Sequence, residues 1–325
     1  MSPKLGKVLK FVFSFAIAGV LLWFSFRNVN WREFAAGLKQ TRWIWVAASM
    51  CLGFSAFVMR GLRWNMLLKP LDSSISRRRT VAAVCVCHMS NCIIPASGEV
   101  VRSALVSTGK AGIDKALGTI MLERAWDLLL IVMVYLLVLL CNWGGAGSFF
   151  SGNIWQPLVE KIGGGAWLIV AGIILLLAAL AFAVIKLKDR SRFCAKICHL
   201  AEGVWQGISS VGKMRGKGWF LLLSLGIWVC YWFMGVCIIH AFPAVGHLSI
   251  MDALVVMAAG SLASLVPAPG GFGTFHYFVT LTLSGLFAIP WETGIVYATI
   301  AHESQAITIF TSGIISYLLL TLRRK

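Results

Sequence analysis

The sequence predicts an all-α protein that crosses a membrane several times. Three observations carry this. Of 325 residues, 59% are apolar and only 13% are charged, against roughly 45–50% and about 25% in soluble domains. Mean hydropathy is +0.84. Apolar runs of spanning length recur along the chain, a span needing about 20 such residues. The composition excludes a disordered chain and argues against a soluble enzyme. The expected architecture is about six full spans plus two re-entrant helical hairpins, arranged as an inverted repeat within one transmembrane domain over residues 1–325.

The elements follow in order. Residues 8–26 form the first span, behind Lys4, Lys7 and Lys10. Ala16-Ile17-Ala18 resembles a signal-peptide cleavage site, but the apolar run continues past it, which favours a retained span. Residues 28–43, with Trp31, Phe34, Leu38 and Trp43, are amphipathic and suit the membrane surface, as do 193–211. Further spans are expected near 43–59, 116–141, 167–185, 219–240 and 293–321. Two apolar stretches are interrupted. Residues 81–109 contain Asn91, Pro95, Gly98, Glu99 and Arg102; residues 251–288 contain Pro267, Pro269, Gly270, Gly271 and Gly273. Proline lacks a donor and glycine weakens a helix, so each stretch should break there. Broken backbone survives at membrane depth only where protein or water covers it. Both are therefore expected to enter the membrane and return on the same side.

Charge tests this arrangement. Net charge is +17, from 29 basic and 12 acidic residues. In a soluble chain that would suggest nucleic acid. Here the basic residues cluster at the N-terminus, at Arg60, Arg63, Lys69 and Arg77–Arg79, between 186 and 217, and at Arg323-Arg324-Lys325. All four segments fall on one side if both broken stretches return to their side of entry, or if both cross. The positive-inside bias then makes both termini cytoplasmic. Two halves, about 8–141 and 167–321, would be inverted copies. Pro95-Ala96-Ser97-Gly98 matches Pro267-Ala268-Pro269-Gly270, and Thr119-Ile120 with Glu123 matches Thr299-Ile300 with Glu303.

Nine cysteines form no framework, and neither they nor the histidines have the spacing of a zinc site. No metal or cofactor is expected. The chemistry lies in ionisable residues inside the membrane, which are costly and need a reason. Glu99 and Arg102 are three apart on one helical face, behind Ser97, which can cap the helix. They read as a head-group site or as an internal ion pair. Glu123, Arg124 and Asp127 read as substrate ligands or as a salt-bridge network. Gly270, Gly271 and Gly273 permit close approach of backbone to a ligand or simply form a hairpin tip; His276 follows them as an interior histidine. His302-Glu303 lacks the second histidine of the zincin motif, since position 306 is alanine. Glu303 is expected to face a cavity, with a proton-linked role open to the neighbouring His302.

These residues resemble a known family. The string Asn91…Ile94-Pro95-Ala96-Ser97-Gly98-Glu99-Val100-Val101-Arg102, then Glu123-Arg124-Ala125-Trp126-Asp127, then Val266-Pro267-Ala268-Pro269-Gly270-Gly271-Phe272-Gly273, is similar to the lysylphosphatidylglycerol synthase transmembrane-region family. The resemblance implies a flippase-like membrane domain, as in the multiple peptide resistance factor, which moves aminoacylated phosphatidylglycerol to the outer leaflet. Stand-alone relatives are linked to hopanoid or isoprenoid-linked lipids. It also implies family-type positions at Pro95, Gly98, Glu99, Arg102, Glu123, Arg124, Pro269, Gly270, Gly271 and Gly273; the residues themselves add Asp127, His276 and Glu303 as candidate substrate positions and Pro267 as a break. His276 stands where the family often has an acidic residue. The expectation is a stand-alone member without a transferase domain. Its partners are a membrane lipid substrate, the anionic inner leaflet, and a second copy or a separate lipid synthase; nucleic acid is not among them. The competing readings are an intramembrane enzyme using Glu99, Glu123 and Asp127, and a membrane subunit that recruits a synthase through 186–217.

Overall fold

In the computed structural model the apolar runs become helices, and the breaks fall where proline and glycine interrupt them. The structure describes residues 3–27, 29–141, 216–263 and 268–322, with Val266 and scattered positions between 142 and 215. Among the described residues there are ten α-helices and no strand. They are α1 (Pro3–Phe26), α2 (Trp31–Gln40), α3 (Trp43–Leu68), α4 (Arg77–Ile93), α5 (Gly98–Val106), α6 (Ile113–Cys141), α7 (Lys217–Ala241), α8 (Ile250–Ala263), α9 (Thr274–Phe287) and α10 (Trp291–Leu322). Helices α3, α7 and α10 are each long and apolar enough to cross a membrane. The pair Val12–Phe26 and Trp31–Gln40, bent by 90°, meets the same test together. The expected span at 167–185, the surface helix at 193–211 and Pro267 lie outside the described residues.

The chain divides into two compact units, one of residues 1–120 with 216–325 and one of residues 121–215. In the first, α3 and α7 run antiparallel. The Arg42 N–H donates to the Ala241 carbonyl (2.8 Å), the Ser49 hydroxyl to the Met234 carbonyl (3.4 Å) and Arg63 Nη1 to Ser224 Oγ (3.3 Å). Helix α3 extends beyond the expected 43–59 to Leu68. Arg60 and Arg63 therefore sit in the helix rather than in a cytoplasmic loop, and Arg63 is 0% exposed. The reason is local: 60–68 holds no proline and a single glycine, Gly61, and each arginine finds a ring to cover it.

Small residues set the spacing, as expected where lipid supplies no hydrophobic drive between helices. A Cβ on Gly61 of α3 would collide with the backbone of Val81 in α4, and one on Gly313 of α10 would meet Met89 of α4 at 2.6 Å. Side chains cap the starts of α2 and α8. Asn30 accepts from the Arg32 N–H (3.1 Å) while its amide donates to Glu33 (2.9 Å). Ser249 and Asp252 form a reciprocal pair at the start of α8.

The turn between α3 and α4 is organised by Asp72. It accepts from the Ser74 N–H (2.9 Å) and the Thr108 hydroxyl (2.7 Å), and Thr108 in turn accepts from the Ala111 N–H (3.0 Å). The hydrogen bonds from Ser74, then Thr108, pull the Asp72 pKa down to about 2. A depressed carboxylate stabilises the fold above its unfolded value near 3.9, and this is lost as pH falls toward the folded value. Asp72→Asn should lower the melting temperature at pH 7, with the gap to wild type closing between about pH 4 and pH 2. Gly61→Val should force α3 from α4 at a cost of roughly 1–3 kcal/mol, read by reversible unfolding in detergent.

Candidate functional site

The first break joins α4 to α5. Ile94 is extended and Ala96 takes a positive φ of 62°, so the chain reverses over Pro95 and Ala96. The Gly98 N–H donates to Asn91 Oδ1 (2.7 Å). A Cβ on Gly98 would strike the Cys87 carbonyl, so only glycine lets α5 approach α4 this closely. Ser97 does not cap α5 with its side chain. Its backbone is already helical (φ −82°, ψ −27°), and its hydroxyl donates back to the Ser90 carbonyl (3.1 Å). Asn91 supplies the partner expected of Ser97. At the other end, Arg79 Nε donates to the Leu105 carbonyl (2.8 Å) and Nη2 to that of Ser107 (3.4 Å). The two helices thus form an antiparallel hairpin.

Arg102 is buried, with its guanidinium carbon 4.7 Å from the centroid of the Trp64 ring. Trp64 is itself fully buried and donates its indole N–H to Thr119 Oγ1 (2.9 Å). Arg63 lies 5.8 Å from the Phe220 ring, and Arg60 lies 5.6 Å from that of Tyr231 while donating to its hydroxyl (2.9 Å). Glu99 is half-buried on α5.

A groove of about 670 Å³ opens between α3, α4, α5 and α10. Phe54, Leu62, Val81, Leu105, Ile315 and Leu319 line its apolar length, and Arg77, Arg78 and Arg79 stand at the start of α4 along it. Arg77 and Arg78 are exposed. In the sequence these arginines count only toward topology. Their signal was present as three consecutive cations before an apolar helix.

The second break lies between α8 and α9. Residues Pro269–Gly271 make a short 3₁₀ turn; Gly270, Gly271 and Gly273 all have positive φ (59°, 78° and 76°). A Cβ on Gly273 would collide with the Ala18 carbonyl of α1. A Cβ on Gly270 would stand 3.4 Å from Cys92 Sγ of α4, so the two breaks lie side by side. Behind the turn, His302 Nε2 is 3.0 Å from the Gly270 carbonyl, and His302 Nδ1 is 3.2 Å from Glu303 Oε1. His276 Nε2 lies 3.8 Å from the same oxygen. Both imidazoles are buried, their ring centroids 4.9 Å apart, and Phe26, Phe272 and Phe275 pack against them. Of the expected site residues, the structure thus gathers Gly270, His276 and Glu303, through His302. Helix α9 brings His276 to α10, an approach that 25 intervening residues hide from spacing rules.

Glu123, Arg124 and Asp127 belong to the second unit, on the later part of α6. Glu123 is buried, Arg124 exposed, and Asp127 lies one turn beyond Glu123.

A family model described as the lysylphosphatidylglycerol synthase transmembrane region matches residues 11–313. The chain belongs to that family. No curated protein and no solved structure matches it. Membership, with the apolar helices, makes this member a membrane protein with a lipid-related function.

Trp64 organises the first hairpin's neighbourhood, so Trp64→Ala should cost roughly 3–5 kcal/mol. Trp64→Phe should cost less, keeping a face for Arg102 but losing the bond to Thr119. Unfolding in detergent measures both.

Proposed function

We propose that this family member moves a phosphate-bearing membrane lipid between leaflets. The observation that carries the reading is the groove between α3, α4, α5 and α10. It joins an apolar length to the guanidinium groups of Arg77, Arg78 and Arg79. An amphiphile with an anionic head has that distribution, and guanidinium forks pair well with phosphate oxygens. A phosphodiester lipid such as phosphatidylglycerol and an isoprenoid-linked phosphate both fall in the class; aminoacyl-phosphatidylglycerol shares the phosphate, but its ammonium leaves the head zwitterionic or cationic. Within the same unit, Arg102, Glu99 and the glycines of the second break would line the route of the head-group. The sequence holds no nucleotide-binding loop, so movement is downhill or coupled to an ion gradient. The positive-inside pattern supports a reading with both termini in the cytoplasm of a bacterial cell and the arginines facing the inner leaflet.

The test is a leaflet-exchange assay in proteoliposomes with head-group-labelled lipids. Wild type should move an anionic lipid faster than a zwitterionic one. Arg77→Gln with Arg78→Gln, both exposed positions, should slow the anionic lipid about tenfold, equivalent to roughly 1.4 kcal/mol. Raising ionic strength should narrow the difference, since exposed charges are screened. Equal rates for both lipids and for the variant would sink the groove assignment. No exchange of any labelled lipid by folded, monodisperse protein would overturn transport in favour of a synthase-associated role.

A further inference from the structure

We propose that His276, His302 and Glu303 form a binding site for a first-row divalent transition-metal ion of the zinc type. Each residue offers one ligand atom, and the three atoms lie within 4.8 Å of one another. Zinc bonds imidazole nitrogen and carboxylate oxygen at about 2.0–2.2 Å, so ligands on a tetrahedral centre stand about 3.4 Å apart. The separations from Glu303 Oε1, 3.2 Å to His302 Nδ1 and 3.8 Å to His276 Nε2, bracket that value.

Proton positions sharpen the case. The Gly270 carbonyl can only accept, so the 3.0 Å contact puts a hydrogen on His302 Nε2. Neutral His302 then carries its lone pair on Nδ1, which points at a carboxylate oxygen 3.2 Å away. Two lone pairs facing one another need a cation between them. A single proton would serve His302 and Glu303 but leave out His276. His276 is 2% exposed and presents Nε2, 3.8 Å from that oxygen; its Nδ1, which has no hydrogen-bond partner, takes no part in the site. One divalent metal ion serves all three side chains.

The surroundings match a metal ligand's support. A metal-bound histidine usually donates its other ring N–H to a carbonyl or carboxylate, which fixes the tautomer and the ring. The Gly270 carbonyl does this for His302, and the positive φ of Gly270 shapes the turn that presents it. Phe26, Phe272 and Phe275 shield the imidazoles, while the Glu303 side chain is 43% exposed. That open side leaves a coordination position for water or an anionic oxygen. Two imidazoles and one carboxylate suit zinc, iron(II), cobalt or nickel rather than magnesium or calcium.

The experiment uses the full chain, purified in detergent, stripped with a chelator and titrated with Zn²⁺ against a chromophoric competitor. One saturable equivalent per chain is expected. His276→Gln and His302→Gln should each weaken binding by at least about tenfold, the scale on which even supporting residues act. Glu303→Gln, nearly isosteric, should weaken it as well. His240→Gln, which removes an imidazole bound to the Val236 carbonyl on α7, should leave it unchanged. Zn²⁺ should also raise the melting temperature of wild type but not of His276→Gln/His302→Gln, by linkage. The absence of a saturable equivalent, or one that survives in the double variant, overturns the site. No lipid movement enters the readout, so this result and that of the leaflet-exchange assay are independent.

Discussion

Where an apolar helix is broken within a membrane protein, the freed backbone groups must find partners from the protein itself. An unpaired amide in an apolar medium costs several kcal/mol. At the first break a donor is freed, the Gly98 N–H, and Asn91 accepts it from the last turn of α4. At the second an acceptor is freed, the Gly270 carbonyl, and His302 reaches it from α10. Each polar side chain is explained first by the peptide group it serves. The packing around both breaks follows from keeping these pairs intact, since Gly98 must lie against α4 and Gly273 against α1. The two solutions also sit together, with Gly270 beside Cys92.

The arginines of the first unit divide by what holds them. Arg60, Arg63 and Arg102 lie against Tyr231, Phe220 and Trp64. A guanidinium is weakly hydrated and stacks on ring faces, so aromatic neighbours make burial tolerable where an ammonium would fare worse. Arg77 and Arg78 instead stay exposed along an apolar groove. The same residue type therefore performs two tasks within twenty positions of helix and turn. One set fastens helices together; the other presents charge to whatever enters the groove.

Much of this was legible in the sequence, and the omissions share a cause. The breaks were readable because proline and glycine act locally, through φ and the missing donor. The helices were readable because apolar length is a local property too. The burial of Arg63 was not, because its ring neighbour Phe220 lies 157 residues away. Asn91 was visible in the motif, but its role depends on the tightness of the reversal, which gave it the bond expected of Ser97. The histidine pair was hidden for the same reason: His276 and His302 meet only because α9 and α10 fold back through Ala288, whose left-handed backbone (φ 53°) turns the chain. Residues that act through contact between distant elements leave no periodic trace.

The α4–α5 hairpin is tied at both ends, by Asn91 to Gly98 at its tip and by Arg79 to Leu105 and Ser107 at its base. Two rods pinned at each end cannot scissor apart without breaking several bonds at once. The pair is therefore one stiff unit, seated against α3 and α10 through glycine, at Gly61 and Gly313, where bare backbone lets the helices lie close. The groove runs along these same seams, so its width is set by how near glycine lets the helices come.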